Sequence, residues 1–266
     1  MLKLVNLHKT FNAGTINEKV ALNGIDLELA DGDFVTVIGG NGAGKSTMLN
    51  AIAGTWRLDE GQVILDDVDL TKMSEHKRAS LLGRVFQDPM MGTAPGMRID
   101  ENLAIAARRG RKRTLGWNLR KKQIEEYRQM LAGFDLGLED RMTSEVGLLS
   151  GGQRQAITLL MATLSKPKLL LLDEHTAALD PKTAAKVLEL TKKIVEENGL
   201  TTIMITHNMS DALAYGNRLV MMDAGKIIYD VQGEDKAALS VRDLLDKFEE
   251  KSSGAVTDRM LLVKDE

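Results

Sequence analysis

The sequence predicts an α/β fold with a largely parallel central sheet, an antiparallel β-subdomain at its start and a helical subdomain inserted in its middle. Short apolar runs at residues 34–38, 169–172 and 201–205 alternate with segments of helical period, the order expected of a parallel sheet flanked by helices. Each run delivers distinctive residues at its carboxyl end: a glycine-rich turn from Gly39, the pair Asp173 and Glu174, and the pair Thr206 and His207. Open α/β sheets build their sites in this way. Apolar alternation at Leu2, Leu4 and Leu7, and again at Ile25, Leu27 and Leu29, has instead the two-residue period of an antiparallel sheet.

The strand at 34–38 runs through its glycine-rich turn into a helix over 45–53, which Gly54 ends. A strand over 84–86 precedes Gln87. Residues 88–166 read as mostly helical, with candidate helices after Asp100, over about 118–131 and after Ser150, and they form the inserted subdomain. A helix over 181–198 is bounded by Asp180 at the N-cap, Pro181 at its first position and Gly199 past its end. Its apolar positions Ala184, Val187, Leu188, Ile194 and Val195 fall on one face, which packs on the sheet. Strands over 217–222 and 226–231 flank Asp223, Ala224 and Gly225, a hairpin signal, and a helix over about 236–249 and a polar tail follow. The expected organisation is one unit over 1–233, with the helical subdomain at about 88–166 inserted in its α/β core, and a C-terminal helix and tail over 234–266.

A chain of 266 residues, 43% hydrophobic and 27% charged, has the composition of a globular protein with a sizeable core. No apolar run approaches the 18 or so residues of a bilayer-spanning helix, and the opening MLKLVNLHKTF turns polar too soon for a signal peptide. A membrane, if served, is served from outside it. The absence of cysteine excludes disulfides and thiolate metal sites and fits a reducing cytosol. A net charge of −3 is too small for binding nucleic acid by field alone. The local exception is residues 108–122, with eight basic residues and no acidic one.

The segment GGNGAGKST, Gly39, Gly40, Asn41, Gly42, Ala43, Gly44, Lys45, Ser46 and Thr47, fits the phosphate-loop pattern. Glycines let several N–H groups converge on phosphate oxygens while the following helix presents its positive end. In such a loop Lys45 reaches the β and γ phosphates of a nucleotide such as ATP, and Ser46 ligates Mg²⁺. The run LLLLDEH then ends a buried strand on two carboxylates with different tasks. Asp173 is expected to hold the Mg²⁺ shell. Glu174, one residue on and differently directed, faces a hydrolytic water as general base.

Residues 148–155, LLSGGQRQ, put Ser150 and two glycines at a second helix start, far along the chain from the first. This segment resembles the signature of the ATP-binding cassette family, and Leu149, Ser150, Gly151, Gly152 and Gln153 match its core in full. The resemblance covers about residues 1–233 and implies a phosphate-loop nucleotide hydrolase core. It implies that the signature serves the ATP of a second copy of the chain, so that two nucleotides are sandwiched between two subunits. It gives Gln87 contacts with Mg²⁺ and the attacking water, Ala178, Leu179 and Asp180 an interface loop, and His207 the role of a switch that bonds the γ-phosphate. Phe11 is then the aromatic platform for adenine. One departure is His175, where the family usually has proline; the loop is left freer or gains a local bond.

The resemblance further implies transmembrane permease partners and a peripheral position on the cytoplasmic face of the cell membrane. In importers of this family the region of residues 88–100, DPMMGTAPGMRID, receives a short helix of the membrane subunit, and flexible methionines suit such a groove; a plain surface loop is the alternative. The basic run reads as a solvated face or as a contact for anionic headgroups or acidic permease residues. A separate cassette with one set of motifs is the usual importer arrangement, and DEHTAALD with the basic insert resembles subunits for amino acids or similar small solutes. An extracytoplasmic substrate-binding protein would accompany it. An exporter or lipid-extraction complex is the second reading. A soluble cassette ATPase acting on DNA or ribosomes is the third, but those usually carry two cassettes, a long coiled coil or a zinc insertion, so no nucleic acid is expected.

Overall fold

The structure, a computed structural model, describes residues 1–110 and 121–251. The chain forms two compact units, Met1–Arg78 with Gly199–Glu266, and Ala79–Asn198. The first carries β1 (Leu2–Phe11), β2 (Lys19–Leu29), β3 (Phe34–Gly39), α1 (Lys45–Ala53), β4 (Glu60–Leu65), β5 (Val68–Asp69) and α2 (Glu75–Arg78). The second carries β6 (Leu82–Val85), α3 (Ile99–Ala106), α4 (Lys121–Ala132), α5 (Gly151–Thr163), β7 (Leu169–Asp173) and α6 (Pro181–Asn198). The chain then returns to the first unit with β8 (Thr201–Ile205), α7 (Met209–Ala214), β9 (Arg218–Asp223), β10 (Lys226–Gln232), α8 (Gly233–Ala237) and α9 (Val241–Lys251).

In the first unit the alternating leucines do what their period predicts. Strands β2, β1, β4 and β5 lie in that order in an antiparallel sheet, with Leu2 opposite Leu29, Leu4 opposite Leu27 and Leu7 opposite Ile25. All six are buried, so a one-residue slip of register would turn the whole apolar set to solvent. The unit's other strands run β10, β9, β3, β8. Here β3 is parallel to both β8 and β9 and buried along its whole length, which is why it reads as a continuous apolar run. Ile38, Leu219 and Met221 of this sheet pack with Met209 and Ala212 of α7 and with Leu244 and Phe248 of α9. Ala224 at φ 45° and Gly225 at φ 77° turn the β9–β10 hairpin through the left-handed region that a two-residue loop requires.

In the second unit β6 runs parallel to β7, from Leu82 opposite Leu169 to Val85 opposite Leu172. This strand begins two residues earlier than the 84–86 reading, because its pairing starts where β7 starts. Helix α6 has the predicted bounds, and Asp180 Oδ1 accepts from Thr183 N at 3.1 Å as its cap. Its buried face also takes in Leu190 and Thr191, while Ala184 is only partly buried. The single helix expected over about 236–249 is instead α8 and α9. Ser240 N donates to Asp243 Oδ2 at 2.8 Å and Asp243 N to Ser240 Oγ at 3.2 Å, a reciprocal cap that starts a new helix. The beginning of the helix read over 118–131, most of the basic run and the tail from residue 252 lie outside the described residues. Among the described residues no helix is long and apolar enough to cross a membrane.

Candidate functional site

The first unit carries the glycine-rich loop between β3 and α1. Gly44, at φ 100°, would drive a side chain into the carbonyl of Ala21, so no other residue fits without displacing the backbone. Having no side chain, it also cannot cap the first N–H groups of α1, which leaves that helix end suited to an anion. The loop is pinned from below, where Gly225 N of the hairpin turn donates to Ala43 O at 3.0 Å. Lys45 is 5% exposed, and its ammonium donates to Gly39 O at 2.8 Å and Gly40 O at 3.1 Å. The positive charge is thereby curled into its own loop, desolvated and in place for charge-assisted bonds to phosphate. Ser46 is exposed and Thr47 half-buried.

His207 follows β8 and is half-buried. Its position is set on both sides: Thr206 N donates to Val37 O at 3.2 Å, and Asn208 Oδ1 accepts from Asp211 N at 3.1 Å as the cap of α7. Phe11 ends β1, also half-buried, with Trp56 edge-on to it at 5.2 Å between ring centroids. Lys9 Nζ lies 5.6 Å from the Phe11 centroid and bonds Asp59 at 2.7 Å. Trp56 belongs to no motif, and nothing in its spacing pointed to a partnership with Phe11.

The second unit carries the acidic strand end, Gln87 and the signature. Leu169, Leu170, Leu171 and Leu172 are fully buried and bring Asp173 and Glu174 to the end of β7. Glu174 sits at φ 47°, a left-handed conformation that costs a side-chain-bearing residue about 1 kcal/mol. His175 is buried, and its Nε2 lies 3.0 Å from Thr191 Oγ1 on α6. Neither outcome expected for a histidine here, a freer loop or a local bond, is found: the bond reaches 16 residues along the chain to α6. Arg84 on β6 lies beside Asp173, Nη2 to Oδ2 at 3.9 Å.

Gln87 is exposed just past β6. The carbonyl of the preceding Phe86 accepts from Gln155 Nε2 of α5 at 3.2 Å, so α5 and the Gln87 segment are tied together. At the start of α5, Ser150 Oγ accepts from Gln153 N at 3.3 Å and Gln153 Oε1 from Ser150 N at 3.2 Å, a complete capping box. Leu149 is buried, Ser150 and Gly151 are exposed, and a Cβ on Gly151 would lie 3.1 Å from Leu179. The signature therefore abuts its own chain's loop of Ala178, Leu179 and Asp180. Just past the segment 88–100, Asn102 of α3 is buried and binds Ala94, Met97 and Arg98 through their carbonyls and Ala94 also through its N–H. Met90 and Met91 stand exposed at the other end of that segment.

A family model described as ABC transporter matches residues 22–177, more than half of the chain. The tyrosine transport ATP-binding protein of Clostridioides difficile (strain R20291) is 45% identical over 249 residues, 94% of this chain and 99% of that protein. The chain belongs to the ABC transporter family. The methionine import ATP-binding protein MetN 2 of Rhodococcus jostii (strain RHA1) is 34% identical over 252 residues, 90% of this cassette and 70% of that protein. Among solved structures, the ATP-binding cassette MJ0796, a dimer in a post-hydrolysis state bound to ADP and Pi, matches with TM-score 0.74 at 30% identity, over 87% of this chain and 98% of that one. The ADP conformation of the cassette MJ1267 matches with TM-score 0.76 at 27% identity, over 94% and 98%. This cassette is thus the ATP-binding subunit of an ABC transporter and an ATP hydrolase, with the α/β fold and antiparallel N-terminal sheet of those structures.

The donors that the motifs supply also suit one metal class. Ser46 offers a hydroxyl, Gln87 an amide oxygen and Asp173 a carboxylate, all hard oxygen ligands. Among the described residues no three His, Cys, Asp or Glu side chains gather to cage a metal. A single carboxylate completed by substrate phosphates is the arrangement that Mg²⁺ favours.

Proposed function

We propose that this chain powers an importer for an amino acid or a similar small solute, working as a dimer beneath transmembrane permease subunits on the cytoplasmic face of the membrane. The observation that carries the reading is the similarity to a tyrosine transport ATP-binding protein along 99% of that protein's length. The exposed Met90 and Met91, beside a segment anchored by Asn102, support residues 88–100 as the seat of a permease helix. An extracytoplasmic substrate-binding protein delivers the solute.

In this reading Phe11 stacks on adenine, and the N–H groups of residues 39–47 with Lys45 hold the phosphates. Ser46, Gln87 and Asp173 would hold Mg²⁺, which would neutralise phosphate charge. Ser150 and Gly151 of the partner subunit close over the γ-phosphate, so the nucleotide satisfies two helix ends at once. Glu174 takes the proton of the attacking water, Gln87 orients that water, and His207 bonds the γ-phosphate. Loss of the γ-phosphate removes the anion that joined the two copies, and the interface loosens.

Replacement E174Q tests the catalytic half of this reading. It is expected to leave ATP binding intact, to stop turnover and to trap an ATP-bound dimer on gel filtration; near-normal hydrolysis would remove Glu174 as the base. The transport half is tested by co-purification with the native membrane partner and ATP-driven uptake of labelled amino acids into vesicles holding the complex. Outward pumping would replace the importer.

A further inference from the structure

Arg84 belongs to none of the motifs, yet its guanidinium is directed at one of their carboxylates. Arg84 Nη2 is 3.9 Å from Asp173 Oδ2, with the two side chains 14% and 15% exposed. The sheet explains the meeting: Arg84 lies opposite Leu171, two residues before Asp173, and strand alternation returns Asp173 to the face that Arg84 occupies. The guanidinium lies over Phe86, whose ring centroid is 4.4 Å from Arg84 Cζ. Phe86 is itself fixed, since its carbonyl accepts from Gln155 Nε2 of α5. A cation that is stacked, half-desolvated and built on a paired strand does not leave its carboxylate easily.

We propose that Arg84 is a resting counter-ion of Asp173 and sets how much Mg²⁺ the ATP site requires. The proposal rests on Asp173 being a Mg²⁺ ligand. Asp173 is a half-buried carboxylate, and Arg84 holds it aimed from the neighbouring strand. With a metal held by Asp173, the same guanidinium would be a second cation beside that carboxylate and would oppose it. Arg84 acts through Asp173, so it is a positioning residue and not a catalytic one.

Binding of a fluorescent ATP analogue to the full chain, in EDTA and across a Mg²⁺ titration, tests this without reference to hydrolysis. R84M and R84Q are expected to reach half-saturation at about three- to tenfold less Mg²⁺ than wild type, with binding in EDTA unchanged, while R84K stays near wild type. R84Q keeps a planar polar group and serves if R84M does not fold. In the D173N background, R84M should add no further shift. A Mg²⁺ requirement equal to or above that of wild type in the Arg84 variants overturns the proposal, as does an undiminished R84M shift on top of D173N. If D173N itself leaves the Mg²⁺ dependence untouched, the assignment of Asp173 as a ligand fails first, and that result is distinct from one in which D173N responds and the Arg84 variants do not.

Discussion

His175 Nε2 lies 3.0 Å from Thr191 Oγ1, and the Thr191 hydroxyl donates onward to Val187 O at 2.7 Å. With the hydroxyl hydrogen committed to Val187, Thr191 can only accept from the histidine, so the ring carries a hydrogen on Nε2. The bond fastens the loop that follows Glu174 to the middle of α6. A hydrogen bond across the unit thus limits the loop where a proline would act through its fixed φ.

Burial pushes the His175 pKa down from 6.5 to about 4. A depressed histidine contributes stability that is present above pH 6.5 and is lost as pH falls toward 4, because the unfolded chain takes up the proton first. That shift corresponds to roughly 3 kcal/mol. Urea unfolding at pH 7 and pH 4 should show wild type losing about that much more than H175Q, in which an amide can donate to Thr191 but nothing titrates. Equal acid losses in the two proteins would mean that the ring is not held neutral.

Much of this molecule is legible in its sequence because local chemistry fixes it. The phosphate loop, the leucine run before Asp173 and the bounds of α6 each follow from residues adjacent in the chain. The break between α8 and α9 was also written there, as Ser240 three residues before Asp243, but the helical period on either side masked it. What could not be read are contacts made by folding alone: Trp56 against Phe11, His175 against Thr191, Arg84 against Asp173. In each pair at least one partner sits outside every motif, and only the strand pairing or helix packing of the finished fold makes them neighbours.

Arg78 illustrates the same limit and carries a prediction. It is 3% exposed, and its guanidinium donates to Ala51 O and Ile52 O at 2.7 Å, to Met73 O at 2.9 Å and to Thr71 O at 3.1 Å. Two of these carbonyls end α1, the helix that opens at Lys45, so one side chain caps the helix and the loop beside it. R78M should cost about 3 kcal/mol in urea unfolding, since those carbonyls would lose the donors of a buried guanidinium. R78K should recover little of it, because an ammonium cannot reproduce the fork. A loss under about 1 kcal/mol in R78M would show that water replaces the arginine.

At Gly83, β6 passes close to α5. A Cβ there would lie 2.6 Å from the backbone carbonyl of Ala162, a contact that neither a rotamer change nor a side-chain shift relieves. G83A should therefore lower stability by about 1–3 kcal/mol, the range for overpacking. Gly96 supplies the control, since a Cβ there meets nothing within 4 Å and G96A should unfold like wild type. Equal midpoints for G83A and G96A would mean that α5 can lift from the strand at no cost.

Glu174, the proposed base, has an unfavourable backbone. Its φ of 47° is disfavoured for any residue with a Cβ and neutral for glycine. Between two variants that both lack the carboxylate, E174G should therefore be more stable than E174A by about 1 kcal/mol, the reverse of their usual order, in which glycine loses through the freedom of the unfolded chain. Urea unfolding without nucleotide gives the comparison free of any effect of ATP. If E174A proved the more stable, the left-handed turn would not be a feature of the resting protein. If the glycine variant wins while neither hydrolyses ATP, the strain at Glu174 is a stability cost retained at the position where the carboxylate acts.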